Sequence, residues 1–320
     1  MTFDATSLPG RSARELLVAV DLGGTKTAIA VTDRQGNRLG RTTMPTDAGA
    51  GITAVMGRVA GAGRRLLGEI GADLSAVAAA AAVSPGVVLE DRVLLAPNND
   101  GWESLALARE IQAAFGASVS VVDNDVKAAA RAEARWGHLA GADTGIFFNL
   151  GTGVAFALVA HGEVLRGAHG AAGEIGYQLT GRSTDRPFGS GGAPLEEITG
   201  GRALAERVSD LLARPVTTAE AVALAGQPGP AGQLVDDALA LLARHVANLA
   251  VALDPDVVVV GGGMTGSAGV IFPVLQAELQ RTVPYPPRLE LAHFNADSGL
   301  AGAVLLAVEA VAARPAPHLT

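Results

Sequence analysis

A glycine turn early in the chain carries residue types that suit phosphate binding. The stretch Asp21-Leu22-Gly23-Gly24-Thr25-Lys26 lies between the apolar runs Leu16–Val20 and Ala28–Val31, which predicts a strand, a tight turn and a second strand. Adjacent glycines let the backbone bend sharply and approach a ligand closely. The exposed amides of such a turn, together with Thr25 and Lys26, can face phosphate oxygens. Asp21, at the end of the first strand, can hold a metal ion through water.

Two further glycine turns follow apolar strands, at Gly151-Thr152-Gly153 and at Gly261-Gly262-Gly263. Each turn alone has an ordinary explanation, since a hairpin or a close-packed strand–helix connection also needs glycine. Neither a Rossmann G-x-G-x-x-G that opens a helix nor a Walker G-x-x-x-x-G-K-[ST] loop is present. If phosphates bind, β-turns therefore hold them rather than the N-terminus of a single helix.

Polar side chains at predicted element ends supply the remaining chemistry. Asp125 begins a predicted helix, where an aspartate serves either as a helix cap or as a general base that accepts a proton from a substrate hydroxyl. Asn124 beside it can hydrogen-bond vicinal hydroxyls. Glu174 lies among glycines and small residues, which favours a positioned side chain. Asn98 is either a ligand or a turn residue, and Glu196 is either a ligand or a first-turn helix charge.

The elements that must position these groups alternate between strands and helices, which predicts an α/β architecture. Apolar runs predict strands at 16–20, 27–32, 37–43, 118–122, 144–149, 154–160 and 257–260, and periodicity predicts helices at 50–69, 103–115, 126–136, 196–213, 217–225, 232–253 and 299–313. Residues 76–83 are rich in alanine, a helix former, but their apolar run into Ser84-Pro85-Gly86 favours a buried strand. The segment 180–194 is predicted to be a long loop.

Two strand–turn–strand segments with a ligand-facing turn, about 130 residues apart, suggest a duplicated unit of three strands and a helix. Because no low-complexity linker separates the copies, we expect two lobes that share one cleft. The boundaries predicted from the sequence are 15–122 plus 300–314 for a smaller N-terminal lobe and 123–299 for a larger C-terminal lobe.

The composition excludes several classes of protein. The 320 residues carry a formal net charge of −8, which argues against nucleic-acid binding by bulk electrostatics. The absence of cysteine excludes disulfides and thiolate zinc sites. Residues 1–15 lack the pattern of a signal peptide, and the uninterrupted apolar runs are short, so we expect a cytoplasmic protein.

Taken in order, the motifs resemble those of the ROK family of bacterial sugar kinases, repressors and uncharacterised relatives, within the actin-like ATPase superfamily. The resemblance runs from about Leu16 to Ala312. It covers the three glycine turns, Ser84-Pro85-Gly86-Val87-Val88 with Pro97-Asn98-Asn99-Asp100-Gly101-Trp102, Asp123-Asn124-Asp125, and Gly173-Glu174-Ile175-Gly176. It implies a two-lobed actin-like ATPase fold of the ribonuclease H-like type, with mixed sheets flanked by helices and the active site in the cleft between lobes.

The resemblance also implies a reaction, in which ATP gives its γ-phosphoryl group to the primary hydroxyl of a sugar and Asp125 is the base. ATP would be bound by Asp21, Gly23, Gly24, Thr25, Lys26, Gly151, Thr152, Gly153, Gly261, Gly262 and Gly263. The sugar would be bound by Gly86, Asn98, Asn124, Asp125, Glu174, Tyr177 and Glu196. Mg²⁺ would be oriented by Asp21 through water, and the family's usual assembly is a homodimer, with a tetramer as the alternative.

The sequence departs from the family pattern at its structural zinc site. Typical members continue the glutamate motif with a histidine that contacts sugar and zinc, where this chain has Tyr177, and the family's zinc-binding cysteines are replaced across Phe188–Glu196. No zinc is therefore expected. Two smaller departures are Asp123 for glutamate and Lys127 for the usual asparagine. Lys127 lies one helical turn from the predicted cleft, and its ordinary explanation is a solvated helix face.

Loss of the histidine and the zinc leaves the sugar open. Glucose and mannose are the first expectation, and an amino sugar such as kanosamine or a C7 cyclitol of the valiolone type is the alternative. The sequence also leaves open a polyphosphate donor in place of a nucleotide. A ROK-type sugar-sensing regulator is the non-kinase alternative; such repressors carry a helix-turn-helix before the first motif, for which the residues before Asp21 leave no room. A degenerate binding protein is disfavoured because the phosphate and base residues are intact.

Overall fold

The structure is a computed structural model that describes residues 15–96 and 101–313. The chain divides into two compact units, one formed by the described residues of Met1–Ser84, Val88–Val122 and Ala303–Thr320, the other by Pro85–Val87 and Asp123–Gly302. The predicted α/β class is confirmed, because helices flank two mixed β-sheets.

The first sheet has the strand order β3-β2-β1-β4-β7. Its strands are β1 Leu16–Leu22, β2 Lys26–Thr32, β3 Arg38–Pro45, β4 Val77–Ser84 and β7 Val119–Asn124, with a separate two-stranded sheet of β5 Val87–Val88 and β6 Val93–Leu94. Strand β1 pairs with β2 antiparallel and with β4 parallel. Helices α1 Ile52–Glu69 and α2 Leu107–Phe115 contribute to one apolar core with the strands, centred on the fully buried Trp102 and Phe115.

The second unit repeats this topology in the order β10-β9-β8-β11-β12. Its elements are α3 Asp125–Trp136, β8 Thr144–Leu150, β9 Val154–Ala160, β10 Glu163–Val164, α4 Glu196–Thr199, α5 Gly201–Leu212, α6 Thr218–Val222, α7 Pro230–Leu253, β11 Val257–Gly261, α8 Ala268–Thr282 and β12 Arg288–Leu291. As in the first sheet, the central strand β8 pairs antiparallel with β9 and parallel with β11. The predicted duplication is therefore confirmed at the level of strand order and direction.

Side-chain alternation along the strands of the second sheet buries both of its faces. Ile146, Phe148 and Leu150 of β8 lie in the core that contains α7, whereas Phe147 lies in the core that contains α3. Because successive residues of a strand point to opposite faces, one strand joins two cores. This arrangement holds the ends of β8 and β11, which carry the second and third glycine turns, in a rigid frame.

Several boundaries differ from the predictions for identifiable reasons. The alanine-rich segment is strand β4, as predicted, and all eight of its residues are buried. The predicted helix 196–213 is interrupted at Gly200, whose extended backbone caps α5. Helix α8 and strand β12 were not predicted, because α8 contains Pro273 and the four residues of β12 are not fully buried.

Helix α9 Ser298–Ala312 ends the described part of the chain. Within that part, one helical segment, Asn295–Ala312, is long and apolar enough by composition to cross a membrane, and half of it is buried in the protein. Core helices of soluble proteins pass the same test, so the finding is weak evidence for a span. The sequence-based prediction considered uninterrupted apolar runs and did not single out this segment.

Candidate functional site

The first glycine turn is supported by a buried threonine that the sequence analysis missed. Thr46 donates its hydroxyl to the carbonyl of Gly23 at 2.6 Å, and its backbone N–H donates to Thr25 O at 2.9 Å. The Thr46 and Thr27 hydroxyls are also hydrogen-bonded, at 2.9 Å. A β-carbon at Gly23 would lie 2.7 Å from Lys26 O, so only glycine allows this close turn. Thr25 and Lys26 are exposed, as a ligand-facing turn requires.

Asp21 precedes this turn at the end of β1, where it is partly buried and pairs with Ala28 of β2 and Val83 of β4. A carboxylate is the hard oxygen donor that Mg²⁺ prefers, and Mg²⁺ keeps several of its waters when bound. The residue type and its place beside the exposed turn therefore fit the predicted water-mediated role.

The candidate base lies at the junction of β7 and α3. Asn124 caps the helix, because its Oδ1 accepts from Lys127 N at 2.9 Å while its Nδ2 donates to Gly86 O at 2.7 Å. These two bonds fix the Asp125 backbone and bring Gly86 beside it. The Asp125 carboxylate accepts from Val126 N at 2.9 Å and is partly accessible. Burial raises the pKa of Asp125 from 3.8 to about 6, which suits a group that takes up a proton near neutral pH.

An ion pair between a buried aspartate and a half-exposed arginine lies directly before this junction. Asp123 is 4% exposed and accepts two hydrogen bonds from the guanidinium of Arg166, at 2.8 and 2.5 Å. The same carboxylate accepts from Asn124 N at 2.8 Å. A two-bond Arg–carboxylate pair has a fixed geometry. Arg166 therefore fixes the loop after β10 to the end of β7, directly before α3, a contact that no local sequence pattern reveals.

Lys127 does not lie on a solvated helix face, the ordinary explanation for a helix lysine. Its side chain is 2% exposed, and its Nζ lies 3.8 Å from Oε1 of Glu174. The periodicity of α3 predicted a helix but not which face is covered, and Glu174 lies 47 residues further along the chain. The structure thus adds a buried ammonium to the predicted acids.

Three predicted ligands, Glu174, Tyr177 and Glu196, lie in the same unit as Asp125 and are electrostatically coupled. Burial raises the pKa of Glu174 to about 7, with Lys127 opposing the rise. Burial also raises the pKa values of Tyr177 and Glu196, and Glu174 and Glu196 add to the rise at Tyr177. Acids with raised pKa values that cluster together are typical of functional sites.

Glu196 also stabilises the second glycine turn. Its Oε2 accepts from Val154 N at 3.1 Å, and a β-carbon at Gly153 would lie 2.0 Å from that oxygen. The turn is closed by a bond from Gly151 N to Gly153 O at 3.0 Å, and the carbonyl of Gly151 accepts from Gly201 N at 3.0 Å. Glu196, a predicted sugar ligand, thus joins the acidic cluster to the predicted phosphate turn. Its second carboxylate oxygen, Oε1, does not take part in the bond to Val154 N.

The third glycine turn packs against the end of the second. Gly262 has φ +95°, and a β-carbon there would lie 2.3 Å from Leu150 O, so this conformation and this approach both require glycine. The carbonyl of Gly262 accepts from the Thr265 hydroxyl at 2.7 Å, which fixes the exit of the turn. The structure therefore brings two glycine turns that are 110 residues apart in sequence to neighbouring strand ends of one sheet.

The predicted ligands fall into three groups. Asp21, Gly23, Gly24, Thr25 and Lys26 lie in the first unit, and Gly86, Asn124, Asp125, Gly151, Thr152, Gly153, Glu174, Tyr177, Glu196, Gly261, Gly262 and Gly263 lie in the second. Asn98 lies outside the described residues. The sequence analysis missed Thr46 and Arg166, whose only signals were polar side chains next to predicted elements.

The side chains present do not fit the structural zinc ion that the family resemblance implies. The chain has no cysteine, and among residues 15–96 and 101–313 no cluster of three or more His, Asp or Glu side chains could hold a metal ion. At the corresponding place the ring of Tyr177 packs edge-on against Phe188, with ring centres 5.2 Å apart. The loop is fastened by Asp185, which accepts from Thr180 N at 2.7 Å and from Gly181 N at 3.0 Å.

Comparison with known proteins agrees with this architecture. The chain is 30% identical over 298 residues to the bifunctional enzyme NanE/NanK of Brucella melitensis, a match that covers 91% of this chain and 54% of that protein, so the chain spans about half the length of this relative. It is 30% identical to the N-acetylmannosamine kinase of Salmonella heidelberg, covering 91% of this chain and 97% of that one.

A solved structure is similar along almost the whole chain. The ROK family glucokinase of Streptomyces griseus, in complex with glucose and AMPPNP, has a TM-score of 0.73 and 26% identity, covering 92% of this chain and 99% of that one. The likeness confirms the predicted actin-like ATPase fold, with its mixed sheets flanked by helices. The sequence profile of the ROK family matches residues 17–310. The chain therefore belongs to the ROK family.

Proposed function

We propose that this protein is an ATP-dependent sugar kinase, which transfers the γ-phosphoryl group of ATP to the primary hydroxyl of a hexose or a hexose derivative. The observation that carries the proposal is Asp125, a partly accessible carboxylate fixed at the start of α3 with a pKa raised to about 6. It lies in one unit with Glu174, Glu196 and two glycine turns. A relative that is 30% identical is named N-acetylmannosamine kinase, and a similar structure contains glucose and an ATP analogue.

In the proposed reaction Asp125 takes the proton of the acceptor hydroxyl while the hydroxyl oxygen bonds to the γ-phosphorus. The bond from that phosphorus to the β,γ-bridging oxygen breaks, and ADP leaves with the electron pair. Most of the catalysis in phosphoryl transfer comes from alignment and charge stabilisation. The glycine turns would hold the phosphates in line, and Asp21 would hold Mg²⁺ through water, where the ion would neutralise developing charge on the phosphates.

Glucose or mannose is the first proposal for the acceptor. N-acetylmannosamine is included with them because a relative is named N-acetylmannosamine kinase. The group of acids formed by Asp125, Glu174 and Glu196 favours an amino sugar as the second candidate. Asp125, Glu174 and Glu196 carry three carboxyl groups against the single ammonium of Lys127, so an ammonium substituent on the sugar would be attracted. A C7 cyclitol is tested alongside, because Tyr177 offers a hydroxyl where the family has a histidine.

A coupled ADP-release assay tests the function directly. The acceptors are glucose, mannose, N-acetylmannosamine, kanosamine and valiolone, each at several concentrations with ATP and Mg²⁺, and polyphosphate replaces ATP in a second series. We expect sugar-dependent release of ADP and formation of a phosphate ester at the primary hydroxyl, identified by mass spectrometry and ³¹P NMR. Absence of turnover with every acceptor and both donors would reject the proposed function and leave the sugar-sensing regulator, whose test is sugar binding without phosphorylation.

The cytoplasmic location and the homodimer implied by the family stay predictions. Light scattering coupled to size-exclusion chromatography measures the assembly, with about 64 kDa expected for a dimer of the 32.2 kDa chain.

A further inference from the structure

Lys127 occupies a position that is unfavourable for a lysine. It lies in the first turn of α3, where the partial positive charge of the helix N-terminus disfavours a cation. Its side chain is 2% exposed, although lysine is almost never fully buried unless it is paired. Its backbone N–H is held by the Asn124 side chain, which fixes the backbone position from which the buried side chain extends.

The compensation comes from three acids on two segments of the chain. Glu174 lies 3.8 Å away, and Asp123 and Asp125 come from the β7–α3 junction. Burial and the nearby Arg166 lower the pKa of Lys127, while these three carboxylates raise it and offset part of the loss. The ammonium is therefore held in place by the acidic cluster rather than by solvent.

Lys127 in turn shifts the pKa values of the acids around it. Burial raises the pKa values of Asp125 and Glu174, and Lys127 lowers both. At Asp125, the charge of Asp123 raises the pKa and so opposes the effect of Lys127. At Glu174, the charges of Asp125 and Glu196 raise the pKa in the same way. Arg166 is already bound to Asp123 through two hydrogen bonds. Lys127 is thus the cation that acts on both acids.

We propose that Lys127 is a positioning residue that acts through Asp125 and Glu174, its buried ammonium favouring the ionised form of both carboxyl groups when a bound sugar displaces water from them. The catalytic consequence rests on the proposed kinase function, whereas the electrostatic effect does not. A base must be deprotonated to accept the proton of the hydroxyl, so the ammonium extends activity to lower pH.

The test compares Lys127→Met, Lys127→Arg and the control Arg135→Met. Methionine keeps most of the volume and removes the charge, and such replacements of buried ions are often tolerated. Arginine retains the charge. Arg135 lies on the same helix but is exposed and near its C-terminal end. The measurement is kcat/KM against pH from 5 to 9, with thermal unfolding of each variant.

We expect the acid limb of kcat/KM to move up by roughly one pH unit in Lys127→Met, the lower end of the range for loss of a nearby opposite charge, because Lys127 lowers the pKa of Asp125. Lys127→Arg restores the wild-type limb, and Arg135→Met leaves it unchanged. A lower kcat/KM with an unshifted limb in Lys127→Met means that the lysine only fills space, and it overturns the proposal.

A second measurement is independent of activity. The carboxyl resonance of Asp125 is titrated by NMR in protein labelled with ¹³C-aspartate, and Asp125→Asn assigns the signal. In Lys127→Met we expect its midpoint to rise, and an unchanged midpoint overturns the proposal. A wild-type protein that releases no ADP with any acceptor rejects the kinase function alone, because the titration still decides the role of Lys127.

Discussion

Asp125→Asn is expected to lower activity by orders of magnitude while making the protein more stable. The Asp125 carboxylate accepts one backbone hydrogen bond, from Val126 N at 2.9 Å, and an amide oxygen can accept the same bond. The start of α3 is therefore preserved. An amide does not take up a proton at neutral pH, and loss of a general base lowers kcat by ~10²–10⁴.

The gain in stability follows from the raised pKa. The carboxyl of Asp125 titrates with a pKa of 3.8 in the unfolded chain and about 6 in the folded one, a difference of roughly two pH units. Since one unit corresponds to ~1.4 kcal/mol, burial of the charged form lowers the free energy of unfolding by about 3 kcal/mol at pH 7.5. The loss sets in as pH rises from 3.8 and is complete above about 6. Asparagine does not titrate, so the free energy of unfolding of the variant does not include this loss.

The assay is urea unfolding followed by circular dichroism at pH 7.5 and pH 4, together with ADP release. At pH 7.5 the variant should be more stable by up to about 3 kcal/mol, or ~4 °C in Tm if all 320 residues unfold together, and the difference should vanish toward pH 4. The control is Asp210→Asn, an exposed acid on α5, with no change expected in either property. Retained turnover refutes the assignment of the base, and an unchanged stability refutes the claim that its carboxyl is desolvated.

Three further outcomes are expected. Wild-type kcat/KM should fall about tenfold per pH unit below about 6, where Asp125 becomes protonated; a flat profile down to pH 5 contradicts this. Gly262→Ala should destabilise the protein by at least ~1–3 kcal/mol and raise the KM for ATP, because its β-carbon would meet Leu150 O at 2.3 Å. The control Gly266→Ala has open space around it and should change neither property. Unfolding and kinetic assays measure both variants. Thr46→Val removes the hydroxyl that supports the first glycine turn, and we expect ~1–3 kcal/mol lower stability in urea unfolding and a higher KM for ATP; an unchanged KM means that the turn does not bind phosphate.

Local patterns were enough to predict most elements of the fold. Strand β4 was predicted against the helix propensity of its alanines because the run is uninterrupted and ends at Ser84-Pro85-Gly86, and its eight buried residues confirm the choice. Helix α8 was missed because Pro273 interrupts its pattern, although its buried residues Ile271, Leu275 and Leu279 follow helical spacing. Strand β12 was missed because a four-residue edge strand has no apolar run to recognise.

The candidate site divides in the same way. Asp125, Glu174 and the glycine turns could be selected from residue type and local context, because turns need glycine and strand ends present polar side chains. The environment of each group could not be predicted. Whether Lys127 faces water or Glu174 depends on a contact between residues far apart in sequence, and helical periodicity does not say which face is covered.

The sequence by itself determined the family, the α/β class, the repeated strand–turn–strand unit and the residue types available for phosphoryl transfer, since these depend on composition, periodicity and local motifs. Only the tertiary structure decided that Lys127 is buried among acids, that Arg166 pairs with Asp123, and that Glu196 reaches the backbone of the second glycine turn. The reason is physical: pKa values and ion pairs depend on desolvation and on distances between charges, and both are set by packing between segments that are remote in the chain.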